Sequence, residues 1–140
     1  MPKITIKTLP LDDSIKIPRV LKRVGDKVTK ALNISKEQLV IIWEPLTANY
    51  FLFNGQLADA QQQSTHHPLV EITAIRGMPE DTEKRLVHTM ADVLAHELSV
   101  DFNNICVIIN TLAPGKLFVS GKFKQESVAT SPAFSLKPGE

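Results

Sequence analysis

The second residue of the chain, a proline, has the most distinctive chemistry in the sequence. If Met1 is removed, Pro2 carries a free secondary amine at the start of the chain. In a dry pocket near a cation the charged form of this amine is disfavoured, so its pKa falls toward working pH. The free base can then take a proton from a carbon next to a carbonyl group. We therefore expect Pro2 to act as a general acid and base, provided that the mature chain starts there.

Enolisation of an acidic substrate also needs a donor for the developing oxyanion and a cation for the substrate carboxylate. Arg76 is the best candidate cation, because a guanidinium forms two parallel hydrogen bonds with a carboxylate. Lys116 is a second candidate, from a neighbouring loop, and Tyr50 is a candidate proton donor. The structural alternatives are a stiff terminus at Pro2, a solvated arginine at a strand end, and aromatic packing around Tyr50.

The chain is similar to itself when it is shifted by 66 positions. Pro68 then lies on Pro2, and apolar positions of the two halves coincide nearly throughout. Such self-similarity indicates a repeated unit, and two copies are too few for a solenoid. We therefore predict a pseudo-twofold pair of units around one core. Because Pro68 is internal, its nitrogen is an amide without basicity, which leaves one candidate site per chain.

Each half is predicted to form a strand, a helix and a second strand. In the first half, period-two alternation predicts a strand at residues 3–9, and helical spacing predicts a helix at 15–33. An all-apolar run predicts the second strand at 39–43. In the second half, strands at 69–75 and 105–109 flank a helix opened by Pro79. Oxygens of Asp12, Asp13 and Ser14 are expected to help start the first helix.

Crossovers between parallel strands are almost always right-handed, so each unit places its helix on one face of its two strands. We predict an α/β (α+β) fold in which two pseudo-twofold-related βαβ units form a four-stranded mixed sheet with both helices on one face. One domain is expected over residues 1–123, with repeats at 2–56 and 68–123 and a C-terminal tail at 124–140.

The helix-free sheet face would carry apolar surface, which we expect copies of the chain to cover in a closed homo-oligomer. Residues 50–55 and 116–123 are matching apolar runs, each around a glycine. We predict that they form small strands that pair across subunits.

Composition limits the partners and the compartment. With 16 basic and 15 acidic residues and no basic block, we expect neither nucleic acid nor a membrane as partner. No segment reaches the roughly 20 apolar residues of a membrane span, and the one cysteine, Cys106, fits a reducing compartment. We predict a cytoplasmic protein. The four histidines lack metal-ligand spacing and no cofactor motif is present, so neither a metal nor a cofactor is expected.

A proline at position 2, at the head of a βαβ unit whose partner unit also opens with proline, resembles the tautomerase superfamily. This superfamily includes oxalocrotonate tautomerase, macrophage migration inhibitory factor and the chloroacrylic acid dehalogenases. The second half matches best, through the segments PLVEITAIRG, PEDTEKRLVHTMADVL and ICVIINTLAPGKLFVSG. With NYFLFNG and FVSGKF, the chain also resembles a branch of single-chain double repeats. The resemblance covers about residues 2–123.

This resemblance implies a fold like that of macrophage migration inhibitory factor and a homotrimer. It also implies a cofactor-independent keto-enol tautomerase, an isomerase, acting on a small carbonyl acid with Pro2 as the general acid and base. Arg76 matches a substrate-binding arginine of the dehalogenases. Met78 and Cys106 stand where the short tautomerases have arginines, and the second arginine of the dehalogenase pair is missing.

Two alternatives therefore stay open. One is a trimeric binding or structural protein that kept the fold and lost catalysis. The other is a hydratase or dehalogenase, which needs a water-activating carboxylate such as Glu44 or Glu71.

Overall fold

The computed structural model describes residues 2–75 and 78–124. Within these residues, two α-helices and eight strands follow one another along the chain. Their bounds are β1 Lys3–Thr8, α1 Ile17–Leu32, β2 Val40–Pro45, β3 Leu52–Phe53, β4 Gln56–Leu57, β5 Leu69–Ile75, α2 Glu80–Leu98, β6 Cys106–Leu112, β7 Leu117–Val119 and β8 Lys122–Lys124. Short 3₁₀ turns at Lys36–Gln38 and Phe102–Asn104 precede β2 and β6.

Four strands form one mixed sheet in the order β2-β1-β5-β6. Within each half the two strands are parallel, β1 with β2 and β5 with β6, whereas β1 and β5 pair in the antiparallel direction. The predicted pair of βαβ units in a four-stranded mixed sheet is therefore confirmed.

The core lies between the sheet and the two helices. Alternation along β1 places Ile4 and Ile6 on the helix side, where both are fully buried. Both helices contribute to the same cluster through their buried apolar stripes, which include Val24, Val28, Met90 and Leu94. Full burial of one such side chain stabilises the fold by about 1.5–3 kcal/mol. The two units therefore share one core.

The two halves have the same backbone plan. All eight residues with positive φ in the described ranges fall into four pairs that are 66 positions apart. The pairs are Asn33 with Ser99, Asn49 with Gly115, Asn54 with Ser120, and Gly55 with Gly121. The first pair ends the two α-helices, and the last two pairs form the tight turns of the β3–β4 and β7–β8 hairpins. Left-handed backbone favours Gly and Asn, so these positions fix where each unit turns.

The start of α1 differs from the sequence prediction. Its N-cap is Lys16, which makes no side-chain capping bond, and Pro18 lies in the first turn. The Asp12 carboxylate instead accepts a hydrogen bond from the Ser14 amide at 2.8 Å, which closes a turn upstream of the helix. The hydroxyl and amide of Ser14 lower the pKa of Asp12. The expected capping by Asp12, Asp13 and Ser14 is therefore wrong, because the helix begins after Lys16 and the Asp12 carboxylate is used in the preceding turn.

Strand β2 is covered on only one face in the single chain. Ile41 and Trp43 pack against the core, but Val40 and Ile42 are each 39% exposed on the opposite face, which we call the open face of the sheet. The all-apolar run predicted a strand covered on both faces, and no other part of the described chain supplies the second cover. The predicted small strands are present as two hairpins, in which β3 pairs with β4 and β7 with β8, and their pairing across subunits stays a prediction.

No helix in the described ranges is long and apolar enough to cross a membrane. The predicted tail falls almost wholly on residues 125–140, which lie outside the described part.

Candidate active site

Pro2 lies at the end of the sheet where β1 begins. Its carbonyl accepts a hydrogen bond from the Val40 amide at 3.2 Å, and the residue is buried. Because β5 runs antiparallel to β1, with Lys3 opposite Thr73, this is also the end where β5 finishes. The same register, continued by one residue, places Pro2 opposite Ala74. Pro2 is thus fixed at one edge of the sheet, between β2 and β5.

Arg76 follows Ile75, the last residue of β5, directly in the sequence, but Arg76 itself lies outside the described residues. Ile75 is buried and pairs with Leu112 at the end of β6. The ends of β5 and β6 and the start of β1 therefore meet at one edge of the sheet. We call this edge the Pro2 edge.

Lys116 follows the end of β6 and so belongs to the Pro2 edge. The turn before it depends on Gly115, whose φ is +85°, and the Lys116 amide donates to the Ala113 carbonyl at 3.2 Å. The Gly115 amide donates to the Lys124 carbonyl at 2.7 Å and closes the base of the β7–β8 hairpin. Lys116 is exposed at the root of that hairpin. A candidate cation therefore stands on a defined turn at the same edge as Pro2.

Tyr50 lies at the opposite edge of the sheet in the same chain. It follows β2, whose last residue, Pro45, is opposite Thr8 at the far end of β1. The six residues of β1 separate the two edges by roughly 20 Å. Tyr50 is 80% exposed, so its hydroxyl is available to another molecule but not to Pro2 of its own chain.

Trp43 is a core residue. Its indole Nε1 donates to the Thr8 hydroxyl at 3.2 Å, and its ring packs against the core cluster on the helix side. It therefore does not line a pocket at either edge.

Glu44 and Glu71 lie on the open face beside Lys7. The Lys7 ammonium is 3.1 Å from a Glu71 carboxylate oxygen and 4.0 Å from one of Glu44. The Lys7 ammonium thus engages both carboxylates. Glu71 lies beside the middle of β1 and Glu44 near its far end, so both are away from the Pro2 edge.

The open face divides into polar and apolar strips. The two central strands, β1 and β5, present Thr5, Lys7 and Glu71. The apolar side chains belong to the two outer strands, β2 and β6. These exposed apolar residues are Val40 and Ile42 of β2 and Ile108 of β6, the last 47% exposed. Apolar surface therefore lies along both free margins of the sheet.

A cluster around His66 was not predicted from the sequence. His66 belongs to the linker that joins the two predicted repeats, residues 57–67. His66 is 3% exposed, and its ring makes edge contacts with Phe51 and Phe53. The adjacent histidines of the linker were the available signal. Within the described residues, no group of three or more His, Cys, Asp or Glu side chains is arranged to hold a metal ion.

No protein-family model and no curated protein sequence matches the chain. Solved structures do. The crystal structure of Pt0534 inactivated by 2-oxo-3-pentynoate matches with a TM-score of 0.76 at 15% identity, over 88% of this chain and 95% of that chain. A wild-type fused 4-OT, the R7 asymmetric trimer, has a TM-score of 0.74 at 18% identity, with 86% and 94% covered. Macrophage migration inhibitory factor of Toxoplasma gondii has a TM-score of 0.61 at 14% identity, with 86% and 98% covered.

These structures belong to the tautomerase superfamily, and this chain has their fold. The resemblance read from the sequence is confirmed at the level of the fold. Identities below 25% establish the architecture and not the chemistry.

Proposed function

We propose that the chain is a cofactor-independent tautomerase, acting in the cytoplasm as a homotrimer, that moves a proton within a small enolisable carbonyl acid. The observation that carries this proposal is the placement of Pro2. It is buried at the edge where β1 begins, with its carbonyl held by the Val40 amide. When Met1 is absent, the ring nitrogen is the terminal atom of a fixed strand.

The proposed reaction is a proton transfer in two steps. The uncharged Pro2 nitrogen takes a proton from the carbon next to the substrate carbonyl. The electron pair of that C–H bond forms the C=C bond of the enolate, and the π pair of the carbonyl moves onto its oxygen. The enolate oxygen then receives the proton of the Pro2 ammonium, directly or through a neighbouring donor. A buried site at this end of the sheet would favour the uncharged amine, because burial penalises the charged form. Atoms are conserved, and no cofactor is required.

Arg76 is proposed to bind the substrate carboxylate, because it directly follows the β5 strand that ends at the Pro2 edge. Lys116 is proposed to assist from the turn after β6. An arginine fork would orient the carboxylate, whereas the lysine would act as a mobile point charge.

The proposed homotrimer is supported by the distribution of apolar surface. The exposed side chains of Val40, Ile42 and Ile108 lie on the two margins of the open face, where neighbouring copies would meet in a closed ring. The polar central strands would face the middle of that ring. Three of the fused 4-OT structures that share this fold are trimers.

Tyr50 enters the proposal only through this assembly. Since it lies at the edge opposite Pro2 in its own chain and is 80% exposed, it would serve a Pro2 site in a neighbouring copy. Its role there would be to donate a proton to the substrate oxygen or to line the pocket.

The compound 2-oxo-3-pentynoate, which inactivates Pt0534, offers a direct test of the proposed base. An amine adds to its alkyne, so that one N–C bond forms, one π bond is lost, the amine proton moves to carbon and no atom leaves. We expect one probe molecule per chain on Pro2, located by peptide mass spectrometry in protein that starts at Pro2. The matched control carries one extra residue before Pro2, which turns its nitrogen into an amide, and should stay unlabelled. Labelling spread over lysines, or equal in both proteins, would contradict the proposal.

A binding or structural trimer is the second candidate. It is favoured by Met78 and Cys106, which occupy positions where the resemblance expects arginines. Met78 packs against the core, and Cys106 begins β6 at the edge opposite Pro2, so neither supplies a cation. The hydratase and dehalogenase alternative has less support, because Glu44 and Glu71 are both engaged by Lys7. A trimer that stays unlabelled by the probe would favour the binding protein.

A further inference from the structure

Polar and aromatic contacts hold the imidazole ring of His66, as they would hold a bound ligand. Its Nε2 donates to the Gln56 carbonyl at 2.9 Å, and its Nδ1 is 3.2 Å from the Thr65 hydroxyl. Phe51 meets the ring at 5.3 Å between centroids and 88° between planes, and Phe53 at 6.1 Å and 69°. A side chain that is only 3% exposed thus makes two polar contacts and touches two aromatic rings.

The backbone that carries this ring is also fixed. The His66 carbonyl accepts hydrogen bonds from the side-chain amides of Gln61 and Asn104, the latter at 3.3 Å. The next residue, His67, directs its Nδ1 to the Asn104 carbonyl at 2.9 Å. The linker between the halves is therefore anchored around this ring.

The pseudo-twofold relation identifies the space that the ring fills. Pro68 corresponds to Pro2, and its carbonyl accepts from the Cys106 amide at 3.1 Å, as the Pro2 carbonyl accepts from Val40. The β3–β4 hairpin, which contains Phe53 and directly follows Phe51, corresponds to the β7–β8 hairpin at the Pro2 edge. His66 therefore stands before Pro68 in the space that corresponds to the approach to Pro2.

We propose that His66 is an internal plug, which closes a second pocket of this chain that is the counterpart of the Pro2 site. Only the description of the Pro2 edge as a site rests on the proposed function. The plugged pocket selects a small planar ring that donates one hydrogen bond along its edge and makes edge contacts with two aromatic rings. Imidazole is the simplest free molecule with these properties. The wild-type chain thus fills this second pocket with its own linker.

The test is to remove the plug and supply it again as a free molecule. The variant His66→Gly keeps the chain and loses the ring, so its melting temperature should fall by about 5–15 °C. Because a molecule that binds only the folded state stabilises it, imidazole should raise the Tm of this variant saturably, by about 3 °C or more. The wild-type Tm should not change over the same range of imidazole concentration.

Two controls make the result specific. His67→Gly removes the neighbouring ring, which contacts Phe53 at 4.5 Å from outside the proposed pocket, and should gain no saturable response to imidazole. With 1-methylimidazole, which lacks an N–H for the Gln56 carbonyl, the rescue of His66→Gly should be weaker.

If His66→Gly does not fold alone, refolding yield against imidazole concentration gives the same measurement. A response that is absent, or equal in the two glycine variants, would overturn the proposal. None of these measurements needs catalysis. The proposal for His66 is therefore tested independently of the Pro2 mechanism.

Discussion

The Val40 amide donates to the Pro2 carbonyl at 3.2 Å, which ties the second residue of the chain into the margin of the sheet. An N-terminal residue would otherwise fray. Here the bond fixes the position of the ring nitrogen relative to β2 and β5. The proposed chemistry requires this fixed position and a ring nitrogen that is a free, uncharged amine.

Blocking the Pro2 nitrogen should abolish most of the proposed activity. One added residue before Pro2 should lower kcat for ketonisation of a phenylpyruvate-like acid by about 10²–10⁴-fold, the usual contribution of general acid-base catalysis. Pro2→Ala keeps a primary amine and should retain part of the rate. Intact mass of protein from its native host should show Met1 removed. A retained Met1, or unchanged kcat in the blocked variant, would rule out Pro2 as the base.

Removing the proposed carboxylate anchor should act on substrate binding. Arg76→Ala should raise KM about 10–100-fold with a smaller change in kcat, because the lost contact is a charge-assisted hydrogen bond made before the reaction. Arg85→Ala is the matched control, since that guanidinium donates to the Ala31 carbonyl on the helix side. Steady-state kinetics on both variants checks this. Equal KM values would assign the anchor elsewhere, with Lys116→Ala as the next test.

A charge on the margin of the open face should dissociate the trimer. Ile108 and Phe102 are similarly exposed, at 47% and 44%, but only Ile108 lies on the open face. Ile108→Lys should give monomers in sedimentation at micromolar concentration, because an unpaired charge would be buried between copies. Phe102→Lys should sediment like the wild type, near three times the 15.5 kDa chain. A monomeric wild type would contradict the proposed assembly.

Thr8 should be required for the stability of the core around Trp43. Thr8 is 1% exposed, and its hydroxyl accepts the hydrogen bond of the indole. Thr8→Val leaves that donor without a partner and should lower the free energy of unfolding by about 1–3 kcal/mol. Thr8→Ser keeps the hydroxyl and should lose less. Urea unfolding followed by the fluorescence of Trp43, the single tryptophan, measures both.

The fold could be predicted from the sequence because its signals are local and occur twice. Alternation located β1, the proline before α2 located the start of that helix, and the repeat then fixed the relation between the halves. A residue type that suits two local structures equally well does not show which of them forms. The oxygens of Asp12 and Ser14 suit a helix cap or a turn equally well, and the chain uses them in a turn.

The candidate site was harder to predict, because it depends on distances across the sheet. Pro2 and Lys116 lie at the same edge only because β5 runs antiparallel to β1, which alternation does not encode. Tyr50 lies at the other edge for the same reason. The burial of His66 depends on Phe51 and Phe53 of a hairpin elsewhere in the chain, which no pattern within the linker could show.

The paired left-handed residues make each half a template for improving the other. Where the first half has Asn33 and Asn54, the second half has Ser99 and Ser120, with φ of 55° at both serines. Asparagine tolerates this backbone better than serine, so copying it across should relieve strain without new contacts. The two halves of one chain thus carry different residues at equivalent backbone positions. Exchanging residues between the halves is a route to stabilisation that needs no other sequence.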